Sequence, residues 1–115
     1  MSDFAPPELS PGNDFDVYAR LTKRSSTTPR VRVAATGLTV TAFLALTLGG
    51  AAIAGTTVNC AEVGTDGEYL GTITGTALTT ALAALTDGQT IYLAIQASTN
   101  VLRWEPCTVR KYPSA

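Results

Sequence analysis

The chain has 115 residues and a formal net charge of -1, from eight Lys or Arg and nine Asp or Glu residues. This length suits one domain that buries its own core, and the near-zero charge provides no general attraction for nucleic acid. Only 15% of the residues are charged and 45% are hydrophobic, which is unlike the composition of a disordered chain.

The sequence contains no histidine. The commonest side chain for proton transfer and zinc binding is therefore missing, and no Ser-His or Cys-His pair can form. It also lacks a phosphate-binding glycine motif and carboxylates at the spacing of a metal loop. We therefore predict that the protein is not an enzyme and has no catalytic residues, metal site, cofactor or small-molecule substrate.

Two cysteines, Cys60 and Cys107, each lie in a strand-like stretch. The N-terminus lacks the basic segment followed by an apolar segment that is typical of a signal peptide. Free, buried thiols are therefore favoured, and a disulfide across the sheet is the alternative.

Residues 1–14 contain three prolines and are predicted to form an extended N-terminal arm without a regular element. Such an arm is either a disordered terminus or a segment laid across a partner. Phe4 and Leu9 are large apolar residues in this otherwise polar arm, so they are the candidate anchors for a partner contact.

Residues 16–22 alternate apolar and polar side chains, which predicts a first strand. Residues 23–29 are predicted to form a loop, and the valines that follow predict a short second strand. Cations cluster around this loop, either as solvated surface or as a contact for an acidic partner surface. The candidate contact residues in this cluster are Lys23, Arg24, Arg30 and Arg32.

Residues 33–61 contain no charged residue, which on hydropathy alone indicates a membrane span. The internal pattern favours a strand instead, because apolar side chains occupy every second position and threonines fill several of the intervening ones. The alternating apolar residues are Leu38, Val40, Ala42, Leu44, Leu46 and Leu48. We predict a long central strand over residues 39–48, in which Phe43 is an exception among the outward residues.

Further along the chain, residues 58–63 and 68–74 are predicted to form a hairpin around a turn at residues 64–67. Tyr69 and Ile73 lie on one face of its second strand. Residues 76–85 change to a helical period, with an apolar stripe at Leu78, Ala81, Leu82 and Leu85.

Residues 90–98 and 101–109 are predicted to form the last two strands. Pro106 removes a hydrogen-bond donor, so it predicts a sheet edge or a bulge. Tyr92 lies on the outward parity of its strand and is another candidate contact residue. The aromatic side chains that offer stacking faces for a sugar are Tyr18, Tyr69, Tyr92, Trp104 and Tyr112.

Six or seven short strands with one small helix predict an all-β fold, an immunoglobulin-like antiparallel β-sandwich with an extended N-terminal arm. The predicted organisation is an arm at residues 1–14, a β-sandwich domain at residues 15–112, and a tail at residues 113–115.

Two segments combine an Asp-Gly turn with an aromatic strand, namely residues 64–73 and 85–95. Together with residues 38–55, this pattern resembles the immunoglobulin-like virion modules of tailed bacteriophages, including upper-baseplate modules. The resemblance covers residues 30–110. It departs from antibody domains, because Trp104 precedes the second cysteine rather than following the first.

The resemblance implies a viral structural protein without an active site, located in the virion and assembled in the host cytoplasm. It implies a capsid decoration or minor capsid protein, or a tail, neck or baseplate adaptor. The implied partners are major capsid or tail subunits in a homo-oligomer or multi-copy assembly, with no nucleic acid and no membrane. Two alternatives stay open: a carbohydrate- or host-surface-binding module, and a small membrane protein using residues 33–61.

Overall fold

The computed structural model describes residues 7–24, 27, 31–98 and 100–111 of the chain. This part of the protein is mostly β-strand with one short helix. The strands are β1 (Glu8–Leu9), β2 (Phe15–Arg20), β3 (Thr22–Arg24), β4 (Arg32–Ala34), β5 (Val40–Ala45), β6 (Val58–Val63), β7 (Glu68–Ile73), β8 (Thr90–Ala97) and β9 (Asn100–Val109), and the helix is α1 (Gly75–Ala81).

Seven of these strands form one hydrogen-bonded sheet in the order β1-β9-β8-β5-β6-β7-β2. Every pair in this main sheet is antiparallel except β1 and β9, which run parallel. The remaining strands, β3 and β4, pair only with each other. The described part of the chain therefore consists of a main sheet and a separate two-stranded hairpin.

The two halves of β6 pair with different strands of the main sheet. The first half of this strand, Val58 to Cys60, pairs with β5, and the second half, Ala61 to Val63, pairs with β7. Leu9 on β1 and Val17 on β2 come from opposite ends of the strand order but belong to the same buried cluster. The sheet therefore curls around a single core.

The alternation predicted from the sequence is confirmed where strands line this core. Val17 and Ala19 on β2 are buried, as are Tyr69 and Ile73 on β7, because residues two apart share one face of a strand. The predicted strand at residues 58–63 matches β6, and the turn at residues 64–67 joins it to β7.

The helix α1 begins where the sequence changes period and adds Leu78 to the core, and Leu82 joins the core directly after the helix, at its C-cap. Thr74 caps it by accepting a hydrogen bond from the Ala77 amide at 3.2 Å. Gly75 lies against Gly12, whose carbonyl oxygen would stand 2.4 Å from a Cβ at position 75, so only glycine fits there. The predicted stripe is confirmed, although the helix ends at Ala81 rather than at residue 85.

The predicted fold class is confirmed as a mostly β fold, but not as an immunoglobulin-like sandwich. A sandwich has two separate sheets that pack face to face. Here β6 hydrogen-bonds to β5 with one half and to β7 with the other, so the described strands on both sides of the core form one sheet.

The prediction of an arm without regular structure is wrong at residues 8–9. Glu8 and Leu9 form β1 and pair with Thr108 and Val109. The preceding proline does not prevent this, because the Pro7 carbonyl only accepts a hydrogen bond, from the Thr108 amide at 2.9 Å. Leu9 is fully buried in the protein's own core, so its side chain is not an anchor for a partner.

The predicted central strand is longer than the observed one. β5 ends at Ala45, and Leu46 and Leu48 are 49% and 62% exposed. The chain turns back at this point, because the Leu44 carbonyl accepts the Ile53 amide and the Leu44 amide donates to the Thr56 hydroxyl. The alternating pattern simply continues past the end of the strand.

The uncharged run at residues 33–61 folds into strand and loop segments, from the end of β4 to the middle of β6. Within the residues that the structure describes, there is no helix with the length and apolar character to cross a membrane.

Two further local predictions need correction. Residues 22–24, part of which was predicted as loop, form β3, because they pair with β4 across the hairpin. The bulge in β9 lies at Leu102, where the register with β8 shifts, and not at Pro106. Pro106 instead lies where β9 has a neighbour on one side only among the described strands, which confirms the predicted edge.

Candidate interaction surfaces

The first candidate surface is the basic hairpin, defined as β3, β4 and the chain between them, with Leu21 and Ala35 at its base. Residues 21–35 hold four of the eight cationic residues of the chain and none of its nine acidic residues. Their formal charge is +4, and the rest of the chain, with four cations and nine acids, has a formal charge of -5. The hairpin is therefore the part of the sequence best suited to an acidic partner.

The basic hairpin is held to the main sheet at its base. The Leu21 amide donates to the Gly67 carbonyl at 2.8 Å, and the Ala35 amide donates to the Leu21 carbonyl at 2.9 Å. Gly67 has a φ of +75°, and a Cβ there would stand 2.4 Å from the Leu21 carbonyl oxygen. The β6–β7 turn thus uses glycine both for its left-handed backbone and for this close approach.

Cross-strand contacts order one cation of the hairpin. The Arg32 guanidinium donates to the Thr22 hydroxyl at 3.1 Å and to the Thr22 carbonyl at 2.7 Å. Neither partner is charged, so the cationic group stays available to an incoming anion. Val31 and Val33 beside it are 44% and 36% exposed, which adds apolar surface to the basic one.

The structure brings only some of the predicted contact residues together. Lys23 and Arg32 are exposed on neighbouring strands of the basic hairpin. Arg24 lies on β3, but the structure describes its backbone position only. Phe4 and Arg30 lie outside the described residues.

The second candidate surface is the aromatic face, defined as Phe43, Tyr92 and Trp104 on the outer side of β5, β8 and β9. Phe43 and Trp104 both pair in register with Ala94, and their ring centroids are 6.0 Å apart in an edge-to-face arrangement of 87°. Tyr92 lies two residues from Ala94 on the same face and is half-buried. Ala94 itself is fully covered.

Sequence reasoning found Tyr92 and Trp104 but missed Phe43. Its signal was present, because Phe43 follows Thr39 and Thr41 on the outward parity and places a large ring there. An aromatic residue on the solvent parity of a strand needs cover, and here Trp104 provides it from two strands away.

The other predicted stacking residues do not join this face. Tyr18 is 53% exposed on β2 and donates to the Glu68 carboxylate at 2.5 Å, and that hydrogen bond raises the pKa of Tyr18. Tyr69 is fully buried, where its hydroxyl donates to the Ala35 carbonyl and accepts from the Leu38 amide. Tyr112 lies outside the described residues.

Both cysteines are free and buried, as predicted. Burial raises the pKa of the Cys60 thiol. Burial and the nearby Glu105 carboxylate raise the pKa of Cys107 to about 11, against a smaller opposing effect of a backbone hydrogen bond from Leu93. Neither thiol is therefore activated as a nucleophile at neutral pH.

Among the described residues, no three side chains of the types that bind metals lie close enough together to hold an ion. No protein-family model matches the chain, and no curated protein sequence does. Function is therefore inferred from the two surfaces and from the sequence.

Proposed function

We propose that this protein is a non-enzymatic structural subunit of a phage virion, assembled in the host cytoplasm. In this role it binds major capsid or tail subunits, as a capsid decoration or minor capsid protein or as a tail or neck adaptor. The finer fold assignment that accompanies this role is a variant of the immunoglobulin-like modules that the sequence resembles.

The basic hairpin carries this proposal. A two-stranded hairpin that pairs with no other strand buries little apolar area of its own, and it gains stability when a partner covers it. Its exposed valines and its cations suit a partner that is apolar at the centre of the contact and acidic around it. Multi-copy assembly also suits the low charged fraction of 15%.

Mass spectrometry of purified virions tests the role directly. We expect peptides of this chain in particles of a phage that encodes it, at a fixed ratio to the major capsid or tail protein. Absence of the chain from complete particles contradicts the proposal.

The surface is tested by charge reversal on the hairpin. In the double variant Lys23→Glu/Arg32→Glu, we expect a fold that is unchanged by circular dichroism and occupancy in particles that falls by roughly tenfold or more, because like charges then face each other. Arg103→Lys, which keeps a positive charge on β9 and leaves the hairpin unchanged, is the control. Full occupancy of the double variant overturns the assignment of this surface.

The aromatic face favours a second candidate function, binding of a carbohydrate on a host surface. Three aromatic side chains on adjacent strands form an uncharged patch against which a sugar ring can stack. A glycan array with the wild-type chain and Tyr92→Ala tests it. Binding that Tyr92→Ala removes supports the function, and an array without binding contradicts it.

A further inference from the structure

The outward residues of β2, β7 and the second half of β6 form a continuous part of the sheet surface, which we call the β7 face. The register of the strands arranges these residues in three rows. The central row is Tyr18, Leu70 and Ala61. The row beside the β6–β7 turn is Arg20, Glu68 and Val63, and the row at the other end is Asp16 and Thr72. Charged side chains therefore lie on both sides of a central row that has none.

Three large side chains of the β7 face are exposed on three neighbouring strands. Tyr18 is 53% exposed, Val63 is 50% exposed and Leu70 is 45% exposed. Tyr18 and Leu70 lie directly opposite each other on β2 and β7. An exposed apolar patch that spans several strands is typical of a surface on which another molecule packs.

The described elements at both ends of these strands lie on their other, core-facing side. At one end, the Gly37 amide donates to the Glu62 carboxylate at 2.9 Å. Beside it, the Leu38 amide donates to the hydroxyl of Tyr69, which is fully buried. At the other end, α1 packs Leu78 into the same buried cluster. The segment after the basic hairpin and the helix therefore close the ends of the core and leave the β7 face exposed.

The charges of the β7 face are self-complementary about one two-fold axis. Asp16 and Arg20 are both exposed on β2, and Tyr18 lies midway between them. Consider two such faces packed together, with the two-fold axis crossing the strands along the central row. This axis reverses the strand direction, so Asp16 of each copy faces Arg20 of the other. Two intermolecular charge pairs then flank a centre in which Tyr18 and Leu70 each meet their own counterparts.

A two-fold axis along β7 gives no such match. It would place β2 of one copy opposite β6 of the other, and therefore Arg20 opposite Val63. A charge would then be covered by an apolar side chain, which is unfavourable. The arrangement of charges therefore selects the axis that crosses the strands.

We propose that a second copy of this chain packs face to face on the β7 face, with antiparallel strands and the central row at the middle of the contact. Three strands about 4.8 Å apart form a narrow face, smaller than the roughly 800 Å² per partner of a standard interface. The dimer is therefore weak in solution and becomes fully occupied where many copies are held together. The contact does not use Lys23 or Arg32, so it does not depend on the proposed function.

The test is the mass of the full-length chain by sedimentation equilibrium, from about 10 μM to about 1 mM protein. We expect the 11.9 kDa of one chain at the lowest concentration and a rise toward twice this mass at the highest. Asp16→Lys and Arg20→Glu each place like charges opposite each other, so each should weaken the dimer by roughly tenfold. The double variant Asp16→Lys/Arg20→Glu restores opposite charges and should restore the dimer.

Arg103→Glu is the matched control, because it makes the same charge reversal on β9, which is not next to any strand of the β7 face. It should leave the dimer unchanged. The mass of one chain throughout the concentration range overturns the proposal, as does a dimer that resists both single charge reversals. Circular dichroism of the single variants identifies any loss of fold, and the double variant then still decides the question.

Two further variants distinguish this contact from other modes of self-association. A dimer that Lys23→Glu/Arg32→Glu abolishes and Arg20→Glu leaves intact would assign the contact to the basic hairpin and overturn the proposal. Deletion of residues 1–6 should leave the dimer unchanged. A dimer that is lost or first appears on this deletion would make the contact depend on the N-terminus and would overturn the proposal as well.

Discussion

The main sheet and the basic hairpin are both built from antiparallel strands, but they differ in what lies beneath their side chains. Every strand of the main sheet contributes at least one residue to the same buried cluster. On the hairpin, Val31 and Val33 are 44% and 36% exposed, and Lys23 and Arg32 are exposed beside them. The strands of the main sheet therefore enclose a core, whereas the strands of the basic hairpin present exposed side chains outside that core.

Substitutions in the two regions should therefore have different effects. Substitutions in the main sheet should change the free energy of unfolding, because each core side chain is packed on all sides. Substitutions of Lys23 and Arg32 on the hairpin should leave the fold intact and, under the proposed function, change partner binding, because both side chains are exposed.

The largest effect is expected in the core of the sheet. Leu44→Ala removes a fully buried side chain from β5 and should cost about 2–5 kcal/mol in the free energy of unfolding, as measured by urea denaturation. Leu48→Ala, at a residue that is 62% exposed, is the matched control and should change it by at most about 0.5 kcal/mol. Equal losses at the two positions would contradict the packing described here.

Gly67→Ala should break the connection between the main sheet and the hairpin. The new Cβ would stand 2.4 Å from the Leu21 carbonyl oxygen and 3.0 Å from the Ala35 nitrogen. Gly64→Ala is the control, because Gly64 has a similar φ of +71° but open space where the Cβ would stand. Its loss in the free energy of unfolding should therefore reflect backbone strain alone, about 1–2 kcal/mol. Gly67→Ala should cost more and should speed amide exchange at Ala35.

Tyr69→Phe removes two hydrogen bonds between the core and the segment that follows β4. The Tyr69 hydroxyl donates to the Ala35 carbonyl at 2.7 Å and accepts from the Leu38 amide at 3.2 Å. Its removal leaves these groups unpaired, which should cost about 1–3 kcal/mol in urea denaturation. Tyr18→Phe, at an exposed hydroxyl, is the comparison and should cost less.

The smallest effect is a dependence of stability on alkaline pH. The folded protein raises the pKa of Cys107 from the ordinary thiol value of 9.0 to about 11. Between these values the unfolded chain has lost the thiol proton and the folded chain still holds it, so the free energy of unfolding falls as pH rises. The stabilisation is complete below pH 9.0 and lost as pH rises through about 11.

Urea denaturation at pH 8 and at pH 10.5, on wild type and Cys107→Ala, measures this effect. The alanine variant should lose less stability between the two pH values than the wild type. An equal loss in both proteins would assign the pH dependence to other groups.

Much of the fold was predictable because it depends on local patterns. Alternation predicted β2 and β8 with the correct buried faces and placed Tyr69 and Ile73 together on one face of β7, and the helical period predicted the core contacts of α1. The predictions fail where the apolar alternation continues beyond the end of a strand. Leu46 and Leu48 keep the alternation of β5 but lie in an exposed turn, because the chain folds back at Ile53.

The interaction surfaces were less predictable than the core. The cationic cluster was visible in the sequence, but its presentation on a separate hairpin depends on the pairing of β3 with β4. The aromatic face needed the register of three strands before Phe43 could be placed against Trp104.

The sequence by itself determined which residues are apolar, that residues 64–67 form a turn, and that the protein is mostly β. Those features depend on neighbours along the chain. Only the tertiary structure decided that β6 joins two halves of one sheet, that Leu9 is buried in its own core, and that Pro106 lies where β9 has one neighbour among the described strands. Each of these depends on contacts between residues far apart in sequence, which local preferences do not encode.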